Sequence, residues 1–223
     1  MNYNIAIDGP AGAGKSTVAK AIAKKKGFIY VDTGAMYRAM ALYFLREGIA
    51  AGETDKIEAA CEKADISIDY ADGVQIVLLN GENVNGLIRT EQVGNMASSS
   101  SVNPKVREKL VALQQKLAAE KSVVMDGRDI CTKVLTDAAV KIYLTADTKV
   151  RAKRRYDELV EKGENCDIAA IEKDIQERDH RDMTRAVSPL VRAEDAVLVD
   201  SSNMPVEEVV RTILSISDKK SGE

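Results

Sequence analysis

The chain has 223 residues, of which 45% are hydrophobic and 30% are charged, and 32 basic against 35 acidic residues give it a net charge of −3. This composition is typical of one globular domain with a sizeable core and room for a small insertion. The slight acidic excess argues against a general nucleic-acid binder, which usually shows a basic excess. No apolar run approaches the ~20 residues of a membrane helix, and we expect no secretory signal. The three widely spaced cysteines have no metal-ligand spacing, so we predict a cytoplasmic protein with reduced thiols.

The first predicted element is a short apolar strand over residues 3–7, and the sequence GPAGAGKS, Gly9–Ser16, follows it. This sequence fits G-x-x-x-x-G-K-[ST], the phosphate-binding P-loop, and a predicted helix from about Lys15 to Lys26 completes the strand–loop–helix context. In such a loop, backbone N–H groups and the helix N-terminus surround phosphate oxygens. We therefore predict that Lys15 reaches the β- and γ-phosphates of a nucleotide and that the Ser16 hydroxyl holds Mg²⁺.

The second predicted strand covers residues 28–31 and leads into the sequence DTGAMYR, Asp32–Arg38, at the start of a helix that ends at Gly48. Between about 63 and 90, short alternating segments separated by ADG and NGE turns predict a small antiparallel sheet. Because this sheet interrupts a series of strands and helices, we interpret it as an inserted subdomain. The four serines at 98–101 predict a loop by their composition, either a plain linker or a polar pocket wall.

The rest of the chain returns to alternating helices and strands. A helix is predicted to start at Asn103-Pro104, with the asparagine as its N-cap and the proline in its first turn. The later predicted elements are a strand over 122–125, a strand over 140–144, long polar helices near 148–162 and 167–183, a strand over 196–199 and a helix near 205–216. Short apolar strands that alternate with helices predict an α/β fold with a five-stranded parallel sheet, whose ligands bind beyond the carboxyl ends of the strands.

Arginines are concentrated at the predicted strand ends and on one predicted helix. They occur in DTGAMYR at Arg38, in MDGRD at Arg128, and in RDHRDMTR at Arg178, Arg181 and Arg185. Arg178, Asp182 and Arg185 are spaced i, i+4 and i+7, which places them on one helix face. Such a helix alone would more often be a solvated surface with ion pairs. Together with a P-loop, the arginines favour phosphoryl transfer between two polyanions, because they would neutralise the charge of the transition state.

Two further patterns narrow the class of P-loop protein. The guanine-reading N-K-x-D motif and the D-x-x-G motif of GTP switches are both absent from the sequence, and the chain is too short for a large ATPase. The basic segment RAKRR, residues 151–155, precedes a long polar stretch and predicts a mobile lid. Lid arginines complete a kinase site and exclude the water that would otherwise take the phosphoryl group.

In the order and spacing of its motifs, the chain resembles the bacterial cytidylate kinases, a family of P-loop nucleoside monophosphate kinases. The similarity runs from about Ile5 to Leu214 and rests on IAIDGPAGAGKST, DTGAMYRA, IRTEQVGNMAS, NPKVRE, DGRD, KIYLTA, RAKRR, ERDHRDMTRAVSPL and AVLVDSS. The resemblance implies phosphoryl transfer from ATP, with Mg²⁺, to CMP or dCMP. It also implies a three-layer P-loop fold, an inserted CMP-side subdomain near 63–90 and a short helical lid near 150–168.

The resemblance further implies a role for each matching residue. The residues implied to bind ATP are Gly9, Pro10, Ala11, Gly12, Ala13, Gly14, Lys15, Ser16, Thr17, Arg151 and Arg155. Those implied to bind the acceptor are Ser98, Arg107 and Asp129 for cytosine, Arg178 and Asp182 for the sugar, Arg38, Arg128 and Arg185 for the phosphate, and Thr33 and Tyr37 for the same pocket. The implied catalytic residues are Lys15, Arg128 and Arg185. No general base is needed, because a phosphate monoester dianion is already a nucleophile.

Alternative functions stay open at this point. The acceptor could be UMP, AMP or another small molecule, or the protein could be a nucleotide-binding regulatory module without turnover. Cytosine offers an amino donor beside ring acceptors, so a carboxylate such as Asp129 and a donor such as Arg107 would select it over uracil. We expect small-molecule partners, a monomer as the family's usual state, and neither nucleic-acid nor membrane binding.

Overall fold

The computed structural model describes residues 2–222. It divides into two compact units, one formed by residues 3–28 with the chain from Val124 onward, and one formed by Ile29–Val123 together with Asn2. The elements of the chain, in order, are β1 (Ile5–Asp8), α1 (Lys15–Lys26), β2 (Ile29–Asp32), α2 (Thr33–Arg46), α3 (Thr54–Lys63), β3 (Ile66–Ala71), β4 (Val74–Leu79), β5 (Glu82–Asn83), α4 (Glu91–Ser100), α5 (Pro104–Glu120), β6 (Val123–Gly127), a π-helix (Ile130–Val134), β7 (Val140–Thr145), α6 (Thr148–Glu161), α7 (Ile168–Thr184), β8 (Val197–Asp200) and α8 (Val206–Ser221).

The main sheet has five parallel strands in the order β2-β6-β1-β7-β8. The central strand β1 pairs with β6 and β7, so that Ile5 lies opposite both Val124 and Val140. All four residues of β1 and all five of β6 are buried, as expected for strands covered on both faces. The predicted α/β fold with a five-stranded parallel sheet is therefore confirmed.

The second sheet is antiparallel and lies within the second unit, in the order β3-β4-β5. Its two turns are two-residue hairpin loops, Asp72-Gly73 and Asn80-Gly81, in which all four residues have φ between 49° and 81°. This left-handed pair of turn residues is the arrangement that matches the twist of a tight hairpin, and Asp-Gly and Asn-Gly adopt it most readily. The predicted small antiparallel sheet is confirmed, with strands between residues 66 and 83.

The prediction of a loop at 98–101 was wrong, because Ser98, Ser99 and Ser100 form the last turn of α4. Thr90 caps this helix by accepting a hydrogen bond from the Val93 N–H, 3.3 Å away. The Ser100 hydroxyl donates back to the Met96 carbonyl at 2.8 Å, which satisfies it inside the helix. Burial of the apolar face of α4 outweighs the weak preference of serine for turns. The sequence patterns also gave no prediction for α3.

The helices that the sequence predicted begin and end close to the expected residues, except that α8 continues to Ser221 instead of ending near residue 216. Gly14 and Gly27, with φ of 87° and 68°, bound α1 on its two sides. Asn103 caps α5, because its side-chain oxygen accepts from the Lys105 N–H at 2.9 Å and the Val106 N–H at 3.4 Å. Within residues 2–222, none of the helices has the length and apolar character needed to cross a bilayer.

Candidate active site

The P-loop follows the buried strand β1, and its backbone requires glycine at defined positions. A Cβ added to Gly9 would lie 1.9 Å from the Leu144 carbonyl oxygen on the neighbouring strand β7, so no side chain fits there. Gly12 and Gly14 have φ of 74° and 87°, in the left-handed region that favours glycine. These glycines allow the loop to form a tight turn. Successive backbone N–H groups in such a turn form the concave site that binds phosphate oxygens.

Lys15 is the first residue of α1 and is buried. Its Nζ donates a hydrogen bond to the Pro10 carbonyl oxygen at 2.7 Å, which folds the side chain back over the loop. Burial, followed by the neighbouring Arg128 guanidinium, lowers the pKa of Lys15 from 10.5 to about 7, although Asp126 and Asp8 oppose this shift. A bound phosphate group would favour the protonated, positively charged form of Lys15 and so raise its pKa.

Ser16 and Asp126 form a pair of oxygen groups beside the P-loop. The Ser16 hydroxyl donates to Asp126 Oδ2 at 3.0 Å, and Asp126 is a buried residue of β6. Hydroxyl and carboxylate oxygens are the protein ligands that P-loop kinases use for Mg²⁺. In the described part of the chain, no group of three or more His, Cys, Asp or Glu side chains could hold a metal. The pair therefore fits an ion that takes its remaining ligands from phosphate and water. Asp126 was not among the predicted site residues, although its position at a strand end was the signal.

Asp8, at the end of β1, connects the P-loop strand to the DGRD segment. Its carboxylate accepts hydrogen bonds from the Ile130 and Cys131 N–H groups at 2.9 and 2.8 Å, at the start of the π-helix. Burial raises the pKa of Asp8 to about 6, and the two N–H donors limit this rise. Asp8 thereby holds the backbone that directly follows Arg128 and Asp129, and Asp129 is itself buried.

A cluster of opposite charges joins DGRD to α7. Arg128 Nε donates to Asp182 Oδ2 at 2.9 Å, and Arg185 Nη1 lies 3.8 Å from Asp182 Oδ1. Burial acts to raise the pKa of Asp182, but Arg128, Arg178 and Arg185 outweigh it and hold that pKa below its usual value. The structure thus brings together four of the predicted acceptor residues, with one carboxylate shared by three guanidinium groups.

The three arginines of the RAKRR segment, all on α6, have different surroundings. Arg151 is buried, and its guanidinium donates to the Ala11 carbonyl of the P-loop at 3.0 Å and to Asp179 Oδ2 at 2.7 Å. Arg154, which the sequence did not single out, donates to the Ser201 carbonyl at 2.7 Å. Arg155 is exposed and forms a 3.1 Å ion pair with Glu158. Sequence composition could not distinguish these three environments.

The remaining predicted acceptor residues belong to the second unit. Thr33 is buried at the start of α2, where Asp32 caps the helix by accepting from the Ala35 N–H at 2.9 Å. On the next turns of α2, Tyr37 and Arg38 are half-buried. Arg107, on α5, is buried with its guanidinium carbon 5.6 Å from the centre of the Tyr37 ring.

Ser101 and Ser98 lie near Arg107, and Arg89 lies near the start of α2. Arg107 Nη1 donates to the Ser101 carbonyl at 3.3 Å, and the Ser101 hydroxyl donates to the Ser98 carbonyl at 2.8 Å. Arg89, which was not predicted, forms a 2.6 Å ion pair with Asp32. The second unit therefore carries Thr33, Tyr37 and Arg38 on α2, Ser98 on α4 and Arg107 on α5, and Arg107 contacts Tyr37 and is linked to Ser98 through Ser101.

Comparisons with known proteins bear on the family to which the chain belongs. The family model of cytidylate kinase matches residues 5–219. A cytidylate kinase of Caldicellulosiruptor saccharolyticus is 51% identical over 219 residues, which cover 98% of this chain and 97% of that one. A cytidylate kinase of Desulfitobacterium hafniense is 47% identical over 219 residues, covering 98% and 94% of the two chains.

A solved structure of an uncharacterized protein from Eubacterium ventriosum superimposes with a TM-score of 0.55 at 13% identity, covering 97% of this chain and 99% of that one. This likeness concerns the fold alone, because the identity is low. The family match and the two relatives extend over nearly the whole chain, and the matched residues 5–219 span the positions of every motif described above. The chain therefore belongs to the cytidylate kinase family.

Proposed function

We propose that this protein transfers the γ-phosphoryl group of ATP to CMP and dCMP, forming ADP with CDP or dCDP. One observation carries the proposal: the P-loop, Lys15 and the Arg128–Asp182–Arg185 cluster all belong to the same compact unit. Phosphoryl transfer depends almost entirely on positioning and on electrostatic stabilisation, and these groups supply both.

On the donor side, the P-loop N–H groups hold the β- and γ-phosphates, and Lys15 exchanges the Pro10 carbonyl for a phosphate oxygen. Ser16 and Asp126 are the residues that would hold Mg²⁺. When bound, this ion neutralises oxygens of the β- and γ-phosphates. The proposed ATP-binding residues of the loop extend from Gly9 to Thr17.

On the acceptor side, Arg38, Arg128 and Arg185 hold the phosphate of CMP so that one of its oxygens faces the γ-phosphorus. That oxygen is already anionic and attacks without a general base. Positive charge from Lys15, Arg128 and Arg185 then stabilises the charge that spreads over the transferring group. Because Asp182 lies between Arg128 and Arg185, it fixes their positions before the substrate arrives.

We assign the recognition of cytosine to Asp129, Arg107 and Ser98. Asp129 accepts a hydrogen bond from the exocyclic amino group, while Arg107 donates to the ring acceptors and Ser98 adds a hydroxyl. Uracil would place a carbonyl against the Asp129 carboxylate and leave two acceptors facing each other, which is a costly mismatch in a buried site. Arg178 and Asp182 bind the sugar, and Thr33 and Tyr37 line the pocket.

We also propose that the segment near 150–168 acts as a lid and that the inserted segment near 63–90 acts on the CMP side. Of the two lid arginines, Arg155 is exposed and would exchange its ion pair with Glu158 for a contact with the nucleotide. Arg151 is held against the P-loop by its bonds to Ala11 and Asp179, and it would act toward ATP from that position. The cytoplasmic location and the monomeric state remain predictions.

ADP formation from MgATP, with CMP, dCMP, UMP, AMP, GMP or no acceptor, tests the proposal directly. We expect turnover concentrated on CMP and dCMP. In Asp129→Ala, kcat/KM for CMP should fall by about 10²-fold or more, because a buried reader of the base is lost, while the affinity for ATP changes little. Asp137→Ala removes an exposed carboxylate of the same unit and serves as the control. Unchanged CMP kinetics in Asp129→Ala would remove the cytosine-reader role, and turnover with another acceptor would overturn the choice of substrate.

A further inference from the structure

Arg151 makes an unusual set of hydrogen bonds for a surface-helix arginine. Its side chain is 5% exposed, and its guanidinium donates to four different acceptors. They are the Ala146 carbonyl at 2.8 Å, the Ala11 carbonyl at 3.0 Å, the Thr148 hydroxyl at 2.8 Å and Asp179 Oδ2 at 2.7 Å. One nitrogen, Nη1, serves both Ala11 of the P-loop and Asp179 of α7. The donor loop and this helix therefore share a single buried group.

Asp179 has a defined place on α7. It is 8% exposed and lies between Arg178 and Asp182, the two residues proposed to bind the acceptor sugar. Its second oxygen, Oδ1, is buried without a hydrogen-bond partner among residues 2–222. A carboxylate in this state depends on its ion pair, because burial of a charge without a partner is strongly unfavourable. Asp179 and Arg151 thus hold each other in place.

A second arginine contacts the P-loop differently. Arg154 donates to the Ser201 carbonyl at 2.7 Å, and the Ser201 hydroxyl lies 3.3 Å from the Ala13 carbonyl of the loop. This chain of contacts runs through Ser201, in the turn after β8, and not through α7. The loop is therefore supported at two carbonyl groups, and the support through Arg151 is the one that continues to the acceptor helix.

We propose that Asp179 is a positioning residue that, through Arg151, couples the binding of the phosphate donor to the binding of the acceptor nucleotide. The inference rests on the proposed function, since it takes ATP as the ligand of the loop and CMP as the ligand of α7. Phosphates bound in the loop fix the Ala11 carbonyl, which fixes Arg151. Arg151 in turn fixes Asp179 and its neighbours on the helix. The first ligand to bind therefore orders side chains that the second ligand also needs, and the second ligand binds with higher affinity. This effect is positive cooperativity.

The test is the dissociation constant of CMP, measured by calorimetry with and without a non-hydrolysable ATP analogue and Mg²⁺. In the unmodified protein, the analogue should tighten CMP binding by about fivefold or more, within the usual range of coupling between sites. In Asp179→Asn, this factor should fall to about one, because the amide keeps the shape and loses the charge that holds Arg151. By linkage, the effect of CMP on the affinity for the analogue should fall by the same factor.

Three controls separate coupling from general damage. Asp174→Asn removes an equal charge from an exposed position of α7 and should retain the coupling factor. Arg154→Lys disturbs the support of the loop through Ser201. It should alter the affinity for the ATP analogue but leave the coupling factor between the analogue and CMP unchanged. Arg151→Lys keeps the charge but cannot serve four acceptors, so it should lose the coupling as Asp179→Asn does. The thermal midpoint of each variant shows whether it remains folded.

The outcomes distinguish this inference from the proposed function. If the unmodified protein forms no ADP with CMP, the proposed function fails and the coupling fails with it. If it turns over CMP normally while Asp179→Asn loses stability but keeps the coupling factor, Asp179 has only a structural role and this inference alone is overturned. Loss of the factor in a folded Asp179→Asn protein, with Asp174→Asn unaffected, supports it.

Discussion

Aspartates at the ends of the parallel strands show how much a residue's role depends on its partners. Asp8 is held by two backbone N–H groups of the π-helix, Asp126 accepts from Ser16, and Asp32 caps α2. All three were equivalent in sequence, as polar residues directly after an apolar strand. Their different contacts make the first a support for DGRD, the second a candidate metal ligand and the third a structural residue with an ion pair to Arg89.

The lowered pKa of Lys15 leads to a prediction about protons. Because burial and Arg128 bring the pKa of Lys15 to about 7, we expect this lysine to be largely neutral in the free protein at about pH 8. Phosphate oxygens favour the charged form and raise that pKa, so ATP binding should take up close to one proton. Because the bound state holds more protons than the free state, the affinity for MgATP should decrease as the pH rises above about 7.

Calorimetry in buffers of different ionisation enthalpy measures this proton uptake. Lys15→Met provides the comparison, because it removes the titrating group and keeps an unbranched side chain. We expect the uptake to disappear in this variant together with most of the ATP affinity. Equal proton uptake in both proteins would show that another group titrates on binding.

At the scale of the element, the start of α5 gives the clearest prediction. Asn103 is buried and accepts from two N–H groups of the first turn, and α5 carries Arg107 one turn further on. Asn103→Ala should therefore lower the free energy of unfolding by about 1–2 kcal/mol, the usual cost of losing a helix cap. Urea denaturation measures this change.

Asn103→Ser keeps a capping oxygen and should recover most of the loss. Because α5 positions Arg107, we also expect a higher KM for CMP in Asn103→Ala than in Asn103→Ser. If Asn103→Ala were as stable as the unmodified protein, the cap would contribute nothing, and the helix would depend on the packing of its apolar face alone.

The helix α4 shows why composition misled the prediction of an element. Four serines in a row suggest a loop when only their own preferences are counted. In the structure, Val93, Met96 and Ala97 are buried at helical spacing, and the capping residue Thr90 precedes them. Three apolar contacts and one cap outweigh the small unfavourable propensity of each serine. The helix consequently presents Ser98 from a regular element, which holds its position more firmly than a loop would.

At the scale of the whole molecule, the mass of the assembly is the property that is simplest to test. We predict a monomer, with the chain mass of 24.2 kDa, over the concentrations used for kinetics. Light scattering coupled to size-exclusion chromatography measures the mass directly. A mass near twice this value, or one that rises with protein concentration, would contradict the prediction and make an interface part of the description of the enzyme.

Local signals were sufficient for much of this protein. The P-loop, the five strands of the parallel sheet, the Asp-Gly and Asn-Gly turns and the cap of α5 were readable because each depends on neighbours within a few residues, although β8 is largely exposed and not buried as its apolar sequence suggested. The order and spacing of the motifs also identified the family. The roles of Ser98, Arg107 and Asp129 toward cytosine, and the extents of the inserted subdomain and the lid, stay predictions that kinetics with variants must decide.

Other features were decided only by the tertiary structure, because they depend on groups far apart in the chain. Arg151, Arg154 and Arg155 lie within five residues, yet one is buried between the P-loop and α7, one holds Ser201 and one faces solvent. The shifted pKa values of Lys15 and Asp8 require burial beneath neighbouring strands and helices. Sequence periodicity reports which face of an element is apolar, but the partner of a buried charge is set by how distant elements pack.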